Sequence, residues 1–171
     1  MCVAVERDDE ARALLQCLGH QRATVLSIVE DLDEQAWHTS VVPSGWTVAG
    51  LVEHLGDAER HWFQDVVAGT DVELPWDEGR SLYDPQAPFV CDRSAAEILA
   101  YYREQCERAD AVLVHAPMSA APRGRHDDSH EDEIASVRSV VLHIIEETAA
   151  HSGHLEVARE LLGGRTNLGL R

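Results

Sequence analysis

The chain has 171 residues, of which 44% are hydrophobic and 26% are charged, with a formal net charge of −17. This length and composition are typical of a soluble globular protein, and we expect a single domain over residues 1–171. All 14 basic residues are arginine, and the acidity argues against nucleic acid and anionic membranes as partners, since both require a basic face.

The N-terminus turns acidic from Glu6 to Glu10 and has no apolar segment of signal-peptide length. No later stretch approaches the eighteen or more apolar residues of a membrane span. These features predict a cytoplasmic protein. The first helix is predicted over residues 9–32, where apolar side chains recur at three- and four-residue steps, as one face of a helix requires.

The second helix is predicted to begin after Thr47, which can cap it, and to continue to Gly69. Residues 72–93 lose this periodicity and contain Pro, Gly, Asp and single aromatic residues. They are predicted to form a long loop, which serves as a lid or substrate wall or only packs on the surface.

The third helix is predicted to begin at Ser94, with Glu97 completing a capping box, and to end before Pro117. A second exposed loop, residues 118–133, precedes a fourth helix over residues 134–162, which ends at Gly163. No strand pattern and no internal repeat is present. Four helices of this length predict an all-α fold, an antiparallel four-helix bundle.

The four cysteines (Cys2, Cys17, Cys91 and Cys106) form no CxxC pair and have no zinc-ribbon spacing. Cys17 and Cys106 fall inside helical patterns, so they are interpreted as small buried hydrophobic residues rather than reactive thiols.

The fourth helix carries Glu147 and His151, four residues apart and therefore on one face. That face also carries apolar residues, and a buried carboxylate and imidazole need a partner. His54 on the second helix can add a third ligand, and two His with one Glu leave an open position, as in catalytic zinc sites. The set also suits Ni, Fe or Mn. The alternative is chance spacing, with Glu147 exposed and His54 a hydrogen-bonded core histidine.

Four further histidines lie near the candidate ligands or in the second predicted loop. His143 lies one turn before Glu147, and His154 lies three residues after His151, so each is a candidate catalytic or ligand-orienting residue. His126 and His130 lie among acidic residues and are interpreted as part of a solvated loop, with adventitious metal binding as the alternative.

Several runs of the chain resemble the DinB/YfiT-like superfamily of metal-dependent four-helix-bundle proteins. They are residues 21–26, Pro43-Ser44-Gly45-Trp46-Thr47, Gly50-Leu51-Val52-Glu53-His54-Leu55, residues 59–63 and Ile145-Glu146-Glu147-Thr148-Ala149-Ala150-His151-Ser152-Gly153-His154. They follow the order of the family and cover nearly the entire chain. The branch with the strongest resemblance includes mycothiol S-transferases.

In that branch the resemblance implies a metal held at positions that correspond to His54, Glu147 and His151. It also implies mycothiol as the thiol cosubstrate and a small-molecule electrophile as the other partner, in a detoxification reaction. The related maleylpyruvate isomerases carry an additional C-terminal domain, so their reaction is not expected here. Bundles of this family commonly pair, which leaves a homodimer open.

The working hypothesis is a metal-dependent transferase that activates a thiol, with zinc first among the metals. His154 and His143 are its candidate catalytic residues, and Trp76 and Arg80 of the long loop are its candidate cofactor contacts. One alternative is a metal-dependent hydrolase with Glu53 or His154 as base. Another is a non-catalytic, stress-related metal-binding bundle.

Overall fold

The computed structural model describes residues 9–70, 88–126 and 134–166. All regular secondary structure in these ranges is helical. The helices are α1 (Asp9–Val29), α2 (Glu34–His38), α3 (Val48–Glu59), a π-helical segment (Arg60–Val67) that continues α3, α4 (Ala95–His115) and α5 (Val137–Leu161). The four predicted helices are confirmed, each within a few residues of the expected bounds. The short helix α2 was not predicted, although Asp33 caps it by accepting a hydrogen bond from the Ala36 N–H.

The starts of the long helices follow from local chemistry. The Thr47 side chain accepts a hydrogen bond from the Gly50 N–H at the start of α3. Ser94 and Glu97 form the predicted capping box of α4. Ser136 plays the same part for α5, which therefore begins three residues later than predicted. These caps satisfy backbone N–H groups that have no partner inside the helix.

The second predicted helix changes from α-helical to π-helical hydrogen bonding at Arg60. From there to Val67 it is π-helical, a rare conformation that often marks functional sites. Four apolar residues of this segment are buried: Trp62, Phe63, Val66 and Val67. Because their spacing also suits an α-helix, the change in helix type could not be predicted from the apolar pattern.

Side-chain pairs show the directions of the helices. α1 and α5 run parallel, since Arg138 near the start of α5 bonds Glu10, whereas Arg165 beyond its end bonds Glu30. α3 and α4 also run parallel, as the pairs Glu53–Arg93, Asp57–Tyr101 and Gln64–Gln105 advance together along both.

α3 and α5 run in opposite directions, because His54 meets Glu147 and Trp62 meets His143. α3 is therefore antiparallel to α5, whereas α3 with α4 and α1 with α5 are parallel pairs, a choice of partners that the sequence analysis did not specify. The physical reason is the long connection over residues 68–94, which is long enough to return the chain to the same end of the molecule before α4 begins.

Two clusters of buried side chains fill the interior. One contains Leu18, Trp62 and Ile144, and the other contains Leu55, Tyr102 and Leu155 among others. On α5 the residues between Ile144 and Leu155 include Glu147 and His151, so the polar candidates lie where the two clusters meet. None of the described helices has the length and apolarity needed to cross a membrane.

A buried ion pair ties α1 to the junction between α3 and the π-helical segment. The Arg22 guanidinium donates to both carboxylate oxygens of Glu59, with N–O distances of 2.7 and 2.6 Å. Its third nitrogen donates to Asp110 on α4 at 2.7 Å. Arg22 and Glu59 are 7% and 1% exposed, so each charge depends on the other for its solvation.

Candidate metal centre

The crossing of α3 and α5 brings together His54, Glu147 and His151. The Nε2 atoms of both histidines lie 3.0 Å from the same oxygen, Oε1 of Glu147. One potential ligand atom from each residue lies within 4.8 Å of the other two. Among the described residues, His54, Glu147 and His151 are the His, Cys, Asp or Glu side chains that come this close together, and no fourth such side chain joins them.

The three side chains are partly accessible to solvent. Their exposed fractions are 20% for His54, 29% for Glu147 and 14% for His151. Hydrogen bonds from His151 and His54 hold the pKa of the Glu147 carboxyl well below its usual range. An ionised carboxylate facing two imidazoles matches the ligand set of zinc and of Ni, Fe or Mn. The residues therefore fit a divalent cation with a position open to a further ligand.

Phe89 covers one side of this centre. Its ring stacks on the imidazole of His54, with centroids 4.2 Å apart and planes at 19°, and its edge faces His151 at 6.0 Å. The Phe89 carbonyl accepts a hydrogen bond from the Thr47 N–H. The Phe89 backbone can lie this close to α3 only because residue 50 is glycine, since a Cβ at that position would lie 2.1 Å from the Phe89 carbonyl. The sequence predicted the loop over residues 72–93 as a wall but could not single out this contact.

His154 borders the centre. Its Nδ1 atom lies 3.3 Å from Nδ1 of His151, on the side of that ring away from Glu147. Its ring also lies near Trp46, at a centroid distance of 6.2 Å. If the Nδ1–H of His151 donates to Nδ1 of His154, this contact fixes the tautomer of His151 that leaves Nε2 available as a ligand.

His143 is not part of the group around Glu147. It packs on Trp62 of the π-helical segment, with ring centroids 4.5 Å apart. His126 also contacts Trp62, at 4.5 Å, and its Nδ1 lies 2.8 Å from Nε2 of His61. The sequence interpretation of His126 as an exposed loop residue agrees with its exposure, but it missed these contacts because the partners are distant in sequence.

Trp76 and Arg80, the predicted cofactor contacts, lie outside the described residues, and so does His130. Their roles stay predictions. Glu53, the candidate base of the hydrolase alternative, pairs with Arg93 at 2.5 Å, which disfavours proton abstraction by that carboxylate.

The described cysteines offer no activated thiol. Burial, with the Glu59 carboxylate nearby, raises the pKa of the Cys106 thiol to about 12. Burial likewise raises the pKa of Cys91. Cys17 is exposed on α1, so its interpretation as a buried residue was wrong: the helix face that carries it points to solvent. None of the three belongs to the group formed by His54, Glu147 and His151.

Comparison with known proteins adds one finding. A family model described as mycothiol-S-transferase matches residues 13–164, a range that includes α3, α4, α5 and most of α1. None of the curated proteins matches the chain significantly.

Proposed function

Since the chain belongs to the mycothiol S-transferase family, we propose that it conjugates mycothiol to a small-molecule electrophile and that a divalent metal ion is required. The observation that supports this proposal is that His54, Glu147 and His151, all partly accessible to solvent, place potential ligand atoms within 4.8 Å of one another. Zinc is the first ion to test, and Ni, Fe and Mn are the alternatives.

The reaction requires a thiolate at neutral pH. A free thiol has a pKa of about 8.5 and is mostly protonated at that pH. A metal ion held by the three ligands would supply the positive charge that favours the thiolate over the thiol. In the overall reaction the S–H bond breaks, an S–C bond forms, and the bond from carbon to the leaving group breaks with its electron pair on that group.

The protein side chains around the centre have separate tasks. The Glu147 carboxylate and the two imidazoles form the binding site. We assign His154 as a positioning residue that orients His151 through the contact between their Nδ1 atoms. Phe89 shields one side and so restricts water and ligands to the remaining side.

The test is conjugation of a fluorogenic electrophile by zinc-loaded protein, offered mycothiol, bacillithiol, glutathione or no thiol. We expect turnover with mycothiol alone, lost on chelation and restored by zinc. His151→Ala should abolish both zinc binding and turnover, and His20→Ala, an exposed histidine on α1, should leave both unchanged. Full turnover in zinc-free His151→Ala would overturn the proposed mechanism.

We also infer that the four long helices form one four-helix bundle in which α1 and α5 run one way and α3 and α4 the other. Support comes from the pairing of α1 with α5, of α3 with α4 and of α3 with α5, and from the contact of Arg22 on α1 with Asp110 on α4, which closes the ring of helices.

A further inference from the structure

A cleft of about 420 Å³ lies beside the π-helical segment and the first half of α5. Its volume falls in the range of small-molecule sites in proteins. The residues that line the cleft include Trp62, His126, Ile134, Leu142, His143 and Glu146. It is separate from the three candidate metal ligands, none of which lines it.

The indole of Trp62 lines the cleft and is 9% exposed. It packs against two exposed imidazoles, with ring centroids 4.5 Å from both His126 and His143. The planes of Trp62 and His126 differ by 30°. The accessible parts of the two imidazole rings offer favourable stacking to a planar ring, and Ile134 and Leu142 add aliphatic surface.

The position of His126 is fixed by the backbone just before it. The Gly124 N–H donates to the Val66 carbonyl at 2.9 Å, at the end of the π-helical segment. A Cβ at Gly124 would lie 2.1 Å from the carbonyl oxygen of Asp65, so the approach requires glycine. His126 then meets His61 at 2.8 Å. The wall of the cleft is therefore held in place although His126 is exposed.

The cleft and the candidate metal centre lie along the same two elements, α5 and the helix that begins as α3 and continues as the π-helical segment. His143 and Glu147 are four residues apart on α5, which is one helical turn, or about 6 Å along the axis. On the facing helix His54 contacts Glu147, and Trp62, further along the same helix, contacts His143. A ligand of one ring in the cleft could thus present its end to the metal centre.

The charge of the cleft disfavours anions. Glu146 is the one carboxylate among the described residues that line it, and the chain as a whole carries −17. Burial, with His126 nearby, lowers the pKa of His61 to about 4, so the imidazole behind His126 is uncharged at neutral pH. No arginine is among the described lining residues, and the surface beside Glu146 is largely aromatic and aliphatic, which suits an uncharged ring.

We propose that this cleft binds the uncharged, planar aromatic part of the electrophile and directs its reactive carbon to the metal centre. The inference rests on the proposed transferase function. For 1-chloro-2,4-dinitrobenzene the sulfur would form a bond to the carbon that carries chlorine, the thiol proton would pass to water, and chloride would leave with the electron pair.

The first test measures binding without any reaction. Zinc-loaded protein is titrated with 1,3-dinitrobenzene, which is planar and uncharged and has no leaving group, in the absence of thiol. Leu142→Arg places a charged side chain in the cleft at a position that is 48% exposed, so folding should be unaffected. Val157→Arg is the matched control on α5, 54% exposed and not in the cleft.

We expect Leu142→Arg to weaken binding about tenfold or more, with Val157→Arg within about twofold of the parent. In the transferase assay Leu142→Arg should raise KM for 1-chloro-2,4-dinitrobenzene, whereas Val157→Arg should leave that KM within about twofold of the parent value. Equal binding by the two variants, or no saturable binding, would overturn the proposal. Cleft-dependent binding without turnover of any electrophile would support the cleft as a site and contradict the transferase function instead.

Discussion

The ring of Phe89 lies nearly flat on the imidazole of His54, with centroids 4.2 Å apart and planes at 19°. This contact joins the end of the long connection after α3 to the α3–α5 crossing. It depends on Gly50, which lets the Phe89 backbone reach α3. The position of one side of the candidate centre is therefore set by a residue without a side chain.

Gly50→Ala should destabilise the protein and displace Phe89. The added Cβ would lie 2.1 Å from the Phe89 carbonyl, and overpacking of this kind costs about 1–3 kcal/mol. Gly153→Ala is the control, since a Cβ there meets nothing within 4 Å and alanine favours a helix interior by about 0.5–1 kcal/mol. Urea unfolding measures both, and equal stability of the two variants would refute the assigned packing.

Glu147→Gln should remove most of the stabilisation that zinc confers. A ligand at 100 times its Kd raises the free energy of unfolding by about 2.7 kcal/mol, and an amide is a much poorer ligand than a carboxylate. Glu146→Gln, an exposed neighbour on the same helix, should retain the full effect. Thermal unfolding with and without zinc checks this, and an equal shift in both variants would exclude Glu147 as a ligand.

Arg22→Met should cost about 3–5 kcal/mol, because it leaves the buried Glu59 carboxylate without its partner. The double variant Arg22→Met/Glu59→Leu should be more stable than Arg22→Met, since it removes both charges. Arg108→Ala breaks an exposed pair with Glu104 and should cost less than about 1 kcal/mol. Urea unfolding of the parent and these three variants checks this account, and a double variant no more stable than Arg22→Met would contradict it.

The pKa of His61, lowered to about 4 chiefly by burial, predicts a loss of stability in acid. Between about pH 6.5 and pH 4 the unfolded chain binds a proton that the folded protein does not, so the free energy of unfolding falls as the pH falls. The groups that face His61 are His126 at 2.8 Å and Asp65 at 3.6 Å.

The comparison is between the parent protein and His61→Gln. From pH 7 to pH 4.5 the free energy of unfolding of the parent should fall by about 1–2 kcal/mol more than that of His61→Gln, allowing for partial exposure of the ring. Burial also raises the pKa of Asp57 to about 6, which acts in the opposite sense, but this cancels because both proteins contain Asp57. A gap that does not change with pH would show that His61 titrates normally.

The helices could be predicted because their signals are local. Apolar spacing gave the four long helices, and the caps at Thr47 and Ser94 lie where their side chains indicated. Helix direction is not local. The long connection between α3 and α4 permits either a parallel or an antiparallel pair, and the choice depends on contacts such as Asp57–Tyr101.

Two residues of the candidate centre could be proposed from local spacing, because Glu147 and His151 lie four residues apart on one helix. His54 lies on another helix, so its place beside them was a hypothesis about how the helices pack, to which the family resemblance added support. The stacking of Phe89 and the cleft at Trp62 and His126 could not be found this way. Both depend on backbone approaches at Gly50 and Gly124 between segments far apart in the chain.

The order in which a ribosome makes the chain gives the α3–α5 crossing a further consequence. His54 is synthesised before Glu147 and His151, because α3 precedes α5 in the chain. A nascent chain that lacks α5 cannot assemble the three side chains, so the candidate site becomes complete only once α5 has been made.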